Sequence, residues 1–88
     1  VGSRRIGQVC FRAISGDHGG ATVPHLHADI GSGEVLIEFL AGGAVRLSKA
    51  HGDPIRGRVT ARELRIVLET ACSAYDELLA LWKASQTR

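Results

Sequence analysis

Cysteine is scarce in this chain. Cys10 and Cys72 are the only two among 88 residues, which excludes a disulfide-stapled scaffold and any zinc site built from four cysteines. Aromatic residues reach only 5 %, so an extended base-stacking platform is not expected. No apolar run approaches the roughly 18 residues that span a bilayer, so no membrane-spanning helix is expected. A basic-then-apolar leader with a small-residue cleavage site is also lacking, and a cytoplasmic location is the expectation. Neither sign of charge dominates: eleven Lys and Arg against nine Asp and Glu leave +2, which by itself implies no partner.

What is present describes one small globular domain over residues 1–88, with 44 % apolar and 23 % charged residues. Its start at Val1-Gly2-Ser3 reads as a processed end, a tag remnant or an unusual start, and residues 1–9 are assigned to a disordered or tag-derived N-terminus. A chain this short buries only about 60–65 % of its unfolded surface. Its own core is therefore marginal, and a homodimer is expected.

Hydrophobic periodicity divides the chain. Residues 8–14, rich in β-branched and apolar types, read as a first strand, and 15–24 as a loop punctuated by Gly16, Gly19, Gly20 and Pro24. His25–Ile30 reads as a second strand, joined through Gly31-Ser32-Gly33 to a third over Glu34–Leu40. In that strand Val35, Ile37 and Phe39 alternate with Glu34, Leu36, Glu38 and Leu40. Ala41-Gly42-Gly43 reads as the next turn, Ala44–Lys49 as a fourth strand and 50–59 as a polar loop.

Thr60-Ala61-Arg62-Glu63 fits a helix-starting capping box. Beyond it Leu64, Leu68, Ala71, Tyr75, Leu78 and Trp82 recur at helical spacing, predicting one helix to about Ala84. Some 24 residues make a rod of about 36 Å, whereas strands of five to seven residues span only about 17–24 Å. The far end of the rod, with Leu78, Leu81 and Trp82, is expected to overhang the sheet and to need a second subunit. The fold class is α+β: a four-stranded antiparallel β-meander with one long C-terminal α-helix packed across it.

An ordered series of short motifs carries a family likeness. It runs Asp17-His18, Pro24-His25-Leu26-His27-Ala28, Gly33-Glu34-Val35, Gly43-Ala44-Val45-Arg46-Leu47, Thr60-Ala61-Arg62-Glu63-Leu64 and Glu77-Leu78-Leu79-Ala80-Leu81-Trp82. In that order the chain, over about residues 10–84, resembles the bacterial family known as domain of unknown function 4160 (DUF4160). The resemblance implies a small bacterial domain, often encoded beside another small protein in an arrangement like a toxin–antitoxin pair. It implies no settled reaction.

The residues themselves suggest two chemistries. His25 and His27 on one strand face the same side with Cα atoms about 6.5–7 Å apart, a spacing that suits two ligands of one divalent transition metal. Asp17 and His18 on the preceding loop would complete the set, and an open coordination position would activate water for hydrolysis. The plainer alternative is one histidine bonded to the 15–24 loop and one on a half-exposed face. Two named histidine patterns fail: no glutamate stands three to five residues after His27, as a cupin needs, and Asp29 stands where histidine-triad hydrolases have a third histidine.

The second chemistry is anion binding. Arg46, Lys49, Arg56, Arg58, Arg62 and Arg65 face only Asp53 and Glu63 between positions 46 and 65, a local excess that could neutralise several phosphates. Arg62 also lies in a helical first turn, where positive charge is unfavourable. The plainer alternative is a solvated surface. Nucleophilic catalysis has little support, since Cys10 and Cys72 read as inert core thiols and no serine has an activating neighbour.

The leading expectation is a protein- or nucleic-acid-binding component of a toxin–antitoxin-like or regulatory pair. Its partner would be nucleic acid or a small protein from an adjacent gene, with no cofactor and no enzymatic role. The alternative is a metal-dependent hydrolase or nuclease using Asp17, His18, His25 and His27.

Overall fold

The computed structural model describes residues 2–13, 24–49 and 52–86. It is α+β, with one antiparallel sheet covered on one face by two helices. Among the described residues six strands take part: β1 (Gly2–Ile6), β2 (Val9–Ala13), β3 (His25–Ile30), β4 (Ser32–Leu40), β5 (Ala44–Leu47) and β6 (Ile55–Arg58). The order is β1-β2-β3-β4-β5, and β6 also pairs with β4.

Two strands exceed the expected four, one at each end of the meander. Residues 2–6 form a hairpin with β2, with Ile6 across from Val9 and Gly2 across from Ala13, so most of the stretch assigned to a disordered N-terminus is part of the sheet. At the other end, Ile55–Arg58 lies within the expected polar loop yet pairs with Ser32–Val35. It adopts extended structure because β4, nine residues long, offers more edge than the four-residue β5 can cover.

β5 and β6 lie along the same edge of β4, interrupted opposite Leu36. The Leu36 carbonyl accepts from the Ser48 N–H at 2.9 Å, and its N–H donates to the Pro54 carbonyl at 2.7 Å. One residue of β4 thus pins both ends of an excursion in its neighbour. Near its far end the Asp53 carboxylate accepts from the Ile55 N–H at 3.0 Å, a local side-chain turn that returns the chain to the ladder.

Strand alternation sorts the sheet into two faces. Val9, Phe11, Ala13, Leu26, Ala28, Ile30, Val35, Ile37 and Phe39 are buried against the helices. Cys10, Arg12, His25, His27, Asp29, Glu34, Leu36 and Glu38 occupy the alternate positions and so lie on the outer face. Leu36 is buried there too, where it lines a small recess with Pro54.

The helical layer corrects the expectation of a single rod. α1 (Ala61–Ser73) gives way at Ala74 to α2 (Tyr75–Gln86). α1 lies over β3, β4 and β5, and α2 over β1 and β2. The break at Ala74 divides the layer, and each half packs on its own strands. Thr70, Cys72 and Ser73 around it are weak helix formers. Tyr75 fixes the junction: its hydroxyl donates to the Leu40 carbonyl, and its ring meets Phe39 edge-on at 5.5 Å between centroids.

The expected overhang is therefore absent. Leu78 is fully buried, and Leu81 and Trp82 pack on the core of the same chain. This removes the geometric reason for expecting a second subunit. Cys72 is exposed and Cys10 half-buried, so neither is the core thiol expected. Among the described residues no helix is long and apolar enough to cross a membrane.

Candidate functional site

The capping box forms as its residues dictate. The Thr60 hydroxyl accepts from the Glu63 N–H, and the Glu63 carboxylate accepts from the Thr60 N–H, both at 3.0 Å. This fixes where α1 leaves the sheet and therefore where Arg62 and Arg65 project.

On the outer face four charged or polar side chains from three strands meet. Arg12 on β2 reaches across to β3, where its Nε lies 2.6 Å and its Nη2 3.2 Å from the two carboxylate oxygens of Asp29. The same Nη2 donates to Glu34 Oε2 on β4 at 3.1 Å. That oxygen also accepts from His27 Nδ1 at 2.5 Å. Register produces the cluster: Arg12 stands across from His27, and Asp29 across from Glu34. The hydrogen bond to Asp29 raises the Arg12 pKa above its ordinary value; the charges of Asp29 and Glu34 assist, and partial burial opposes. The Arg12 and Asp29 side chains are 37 % and 42 % exposed, so solvent screens their pairing and it adds little stability. His27 and Glu34, at 12 % and 24 %, form the more enclosed contact.

A carboxylate can only accept, so His27 Nδ1 carries a proton in this contact. Glu34 holds the imidazole as carboxylates hold metal-binding and general-base histidines, by accepting from one ring nitrogen and so orienting the other. Beside it, His27, Glu34, Leu36, Pro54 and Arg56 line the recess. Pro54 enters from the excursion and Arg56 through its pairing with Glu34.

Of the expected metal set, His25 and His27 do share the outer face, with His25 buried and His27 half-buried. Asp17 and His18 lie outside the described residues. Among the described residues no three or more His, Cys, Asp or Glu are grouped to hold a metal ion. Arg12, Asp29 and Glu34 escaped the sequence reading, although Glu34 stands in one of the quoted motifs.

The six basic residues are divided. Arg46 on β5 is paired with Glu38 across the ladder on β4. Lys49, Arg56, Arg58, Arg62 and Arg65 are exposed. Four of these follow the chain around a corner: Arg56 and Arg58 on β6, then Arg62 and Arg65 in the first turns of α1. Among the described residues none of the four forms an ion pair. No family model, curated protein or solved structure matches the chain. Its functional reading rests on this geometry and on the motif series.

Proposed function

We propose that this chain is a small binding module that engages an anionic partner, nucleic acid or an acidic protein surface, through the corner formed by Arg56, Arg58, Arg62 and Arg65. The observation that carries this reading is the exposure of four guanidinium groups, none ion-paired among the described residues, along one continuous turn of chain. Arg62 sits in the first turn of α1, where the helix dipole disfavours it. The motif likeness to DUF4160 supports the same reading, as a component of a toxin–antitoxin-like or regulatory pair.

The test is retention on heparin or duplex DNA across a salt series. Replacing Arg56, Arg58 and Arg62 by Ala is expected to abolish salt-dependent retention, because each lost phosphate contact flattens the dependence of log K on log salt by about 0.9. Unchanged retention would overturn the reading.

The Glu34–His27 contact favours a second reading, a metal-dependent hydrolase using Asp17, His18, His25 and His27, because it orients an imidazole as a metal ligand is oriented. Elemental analysis of protein purified without a metal-affinity step separates the two. Stoichiometric zinc, iron, nickel or copper would support the hydrolase, and protein without metal would remove it.

A further inference from the structure

We infer that the free edge of β1 is a docking site for an extended acidic segment of another protein, which adds to the sheet as a further strand. This surface lies at the opposite side of the sheet from the basic corner, since β1 ends the strand order that β5 and β6 close at the other end.

Hairpin parity shows what this edge offers. β1 and β2 are joined by the two residues Gly7 and Gln8, and Gly7, at φ 61°, supplies the positive φ that a two-residue hairpin turn needs at its first position. In such a hairpin the closing pair, here Ile6 and Val9, is a hydrogen-bonded one. Pair types alternate along an antiparallel ladder, so Arg4 and Gly2 also direct their N–H and C=O groups to β2. Ser3 and Arg5 direct theirs outward. Among the described residues no strand pairs with that side.

The two edges of the sheet differ. The far edge consists of two four-residue strands broken by an excursion, a common way of blunting an edge. β1 has five residues without a break or a proline. An open groove lies beside it, lined by Arg4, Arg5 and Ile6 on β1 and by Glu69, Thr70 and Glu77 on the helices. It leaves room for the side chains of an added strand on its helix-facing side.

On the outer face, away from Glu69 and Glu77, charge selects the occupant. β1 carries Arg4 and Arg5 and no acid. Arg4 is paired with Glu77 of α2, whereas Arg5 is exposed, on the outer face, and forms no ion pair among the described residues. A second copy of β1 is a poor occupant. Antiparallel self-pairing over all five residues places Ser3 across from Arg5 and sets Arg4 directly across from Arg4, in the close non-hydrogen-bonded position. Like charges there are destabilising, whereas an acid across from Arg5 is favourable. An extended segment with Asp or Glu at that position meets both the backbone and the charge requirement.

The experiment uses the full chain, labelled with ¹⁵N, and two short peptides, one alternating threonine with glutamate and one alternating threonine with lysine. The glutamate peptide is expected to slow amide exchange of Ser3 and Arg5 by about tenfold or more, the open edge being otherwise unprotected. Arg4 and Ile6, bonded to β2, should change little. Arg5→Pro removes one outward donor while sparing the β1–β2 ladder, and should abolish the effect. Arg5→Glu should transfer the preference to the lysine peptide, and keeps the test decisive if the proline variant does not fold. Four outcomes would overturn the proposal: equal response to both peptides, protection confined to the basic corner, no response at millimolar peptide, or concentration-dependent protection of Ser3 and Arg5 without peptide.

Discussion

Leu78 offers the sharpest test of the helical layer. It is fully buried, fourth of the twelve residues of α2, which rests on β1 and β2. Leu78→Ala deletes most of a buried side chain between a helix and two strands that cannot collapse freely, at a cost of about 3 kcal/mol within the 2–5 kcal/mol seen for such changes. Unfolding entropies of about 2.1 cal/mol/K per residue give roughly 185 cal/mol/K for this chain, so the melting temperature should fall by about 15 °C. Thermal and urea melts followed by circular dichroism would measure both. They should be run at two protein concentrations about a hundredfold apart, because a fold that required a partner copy would gain about 2.7 kcal/mol over that range. The expected result is a large loss for Leu78→Ala and a wild-type midpoint independent of concentration. A loss below about 1 kcal/mol, outside the usual range for a buried leucine, would refute the reasoning. So would a wild-type midpoint that climbs with concentration.

Three further outcomes follow from contacts described above or adjoining them. Gly31 turns the chain between β3 and β4 at φ 54°, and a Cβ there would run into the Glu63 carboxylate of the capping box; Gly31→Ala should cost about 1–2 kcal/mol, less in a Glu63→Ala background, as a double-mutant cycle by urea unfolding would show. Tyr75→Phe keeps the ring against Phe39 but leaves the Leu40 carbonyl without its hydroxyl donor, and should cost about 1 kcal/mol in the same assay. Glu34→Leu removes the acceptor that holds the proton on His27 Nδ1, and should shift neutral His27 toward the tautomer protonated on Nε2 in ¹⁵N ring spectra. An unchanged spectrum would mean that Glu34 does not set the tautomer.

The alternation that marked β3 and β4 was readable because each strand has one buried and one polar face. The start of α1 was readable because Thr60 and Glu63 bond each other locally. β1 was not, since Ser-Arg-Arg between two half-buried residues carries no alternation, and only pairing with β2 makes it a strand. β6 is equally opaque, for it is held by the surplus edge of β4 rather than by its own side chains. No glycine or proline announces the break at Ala74. At the candidate site, strand parity alone put His25 and His27 on one face. Their neighbours Arg12, Asp29 and Glu34 depend on register across three strands, a property that no single segment carries.

The excursion between Ser48 and Pro54 gives the molecule a natural place to change length. Because both of its ends are tied to Leu36, a foreign peptide grafted between Lys49 and Gly52 would leave both ladders on β4 in register. Doubling such a connection costs only about 0.6 kcal/mol of closure entropy. Added length there would be carried by the connection and not by the sheet, since the ladders are anchored on Leu36 itself.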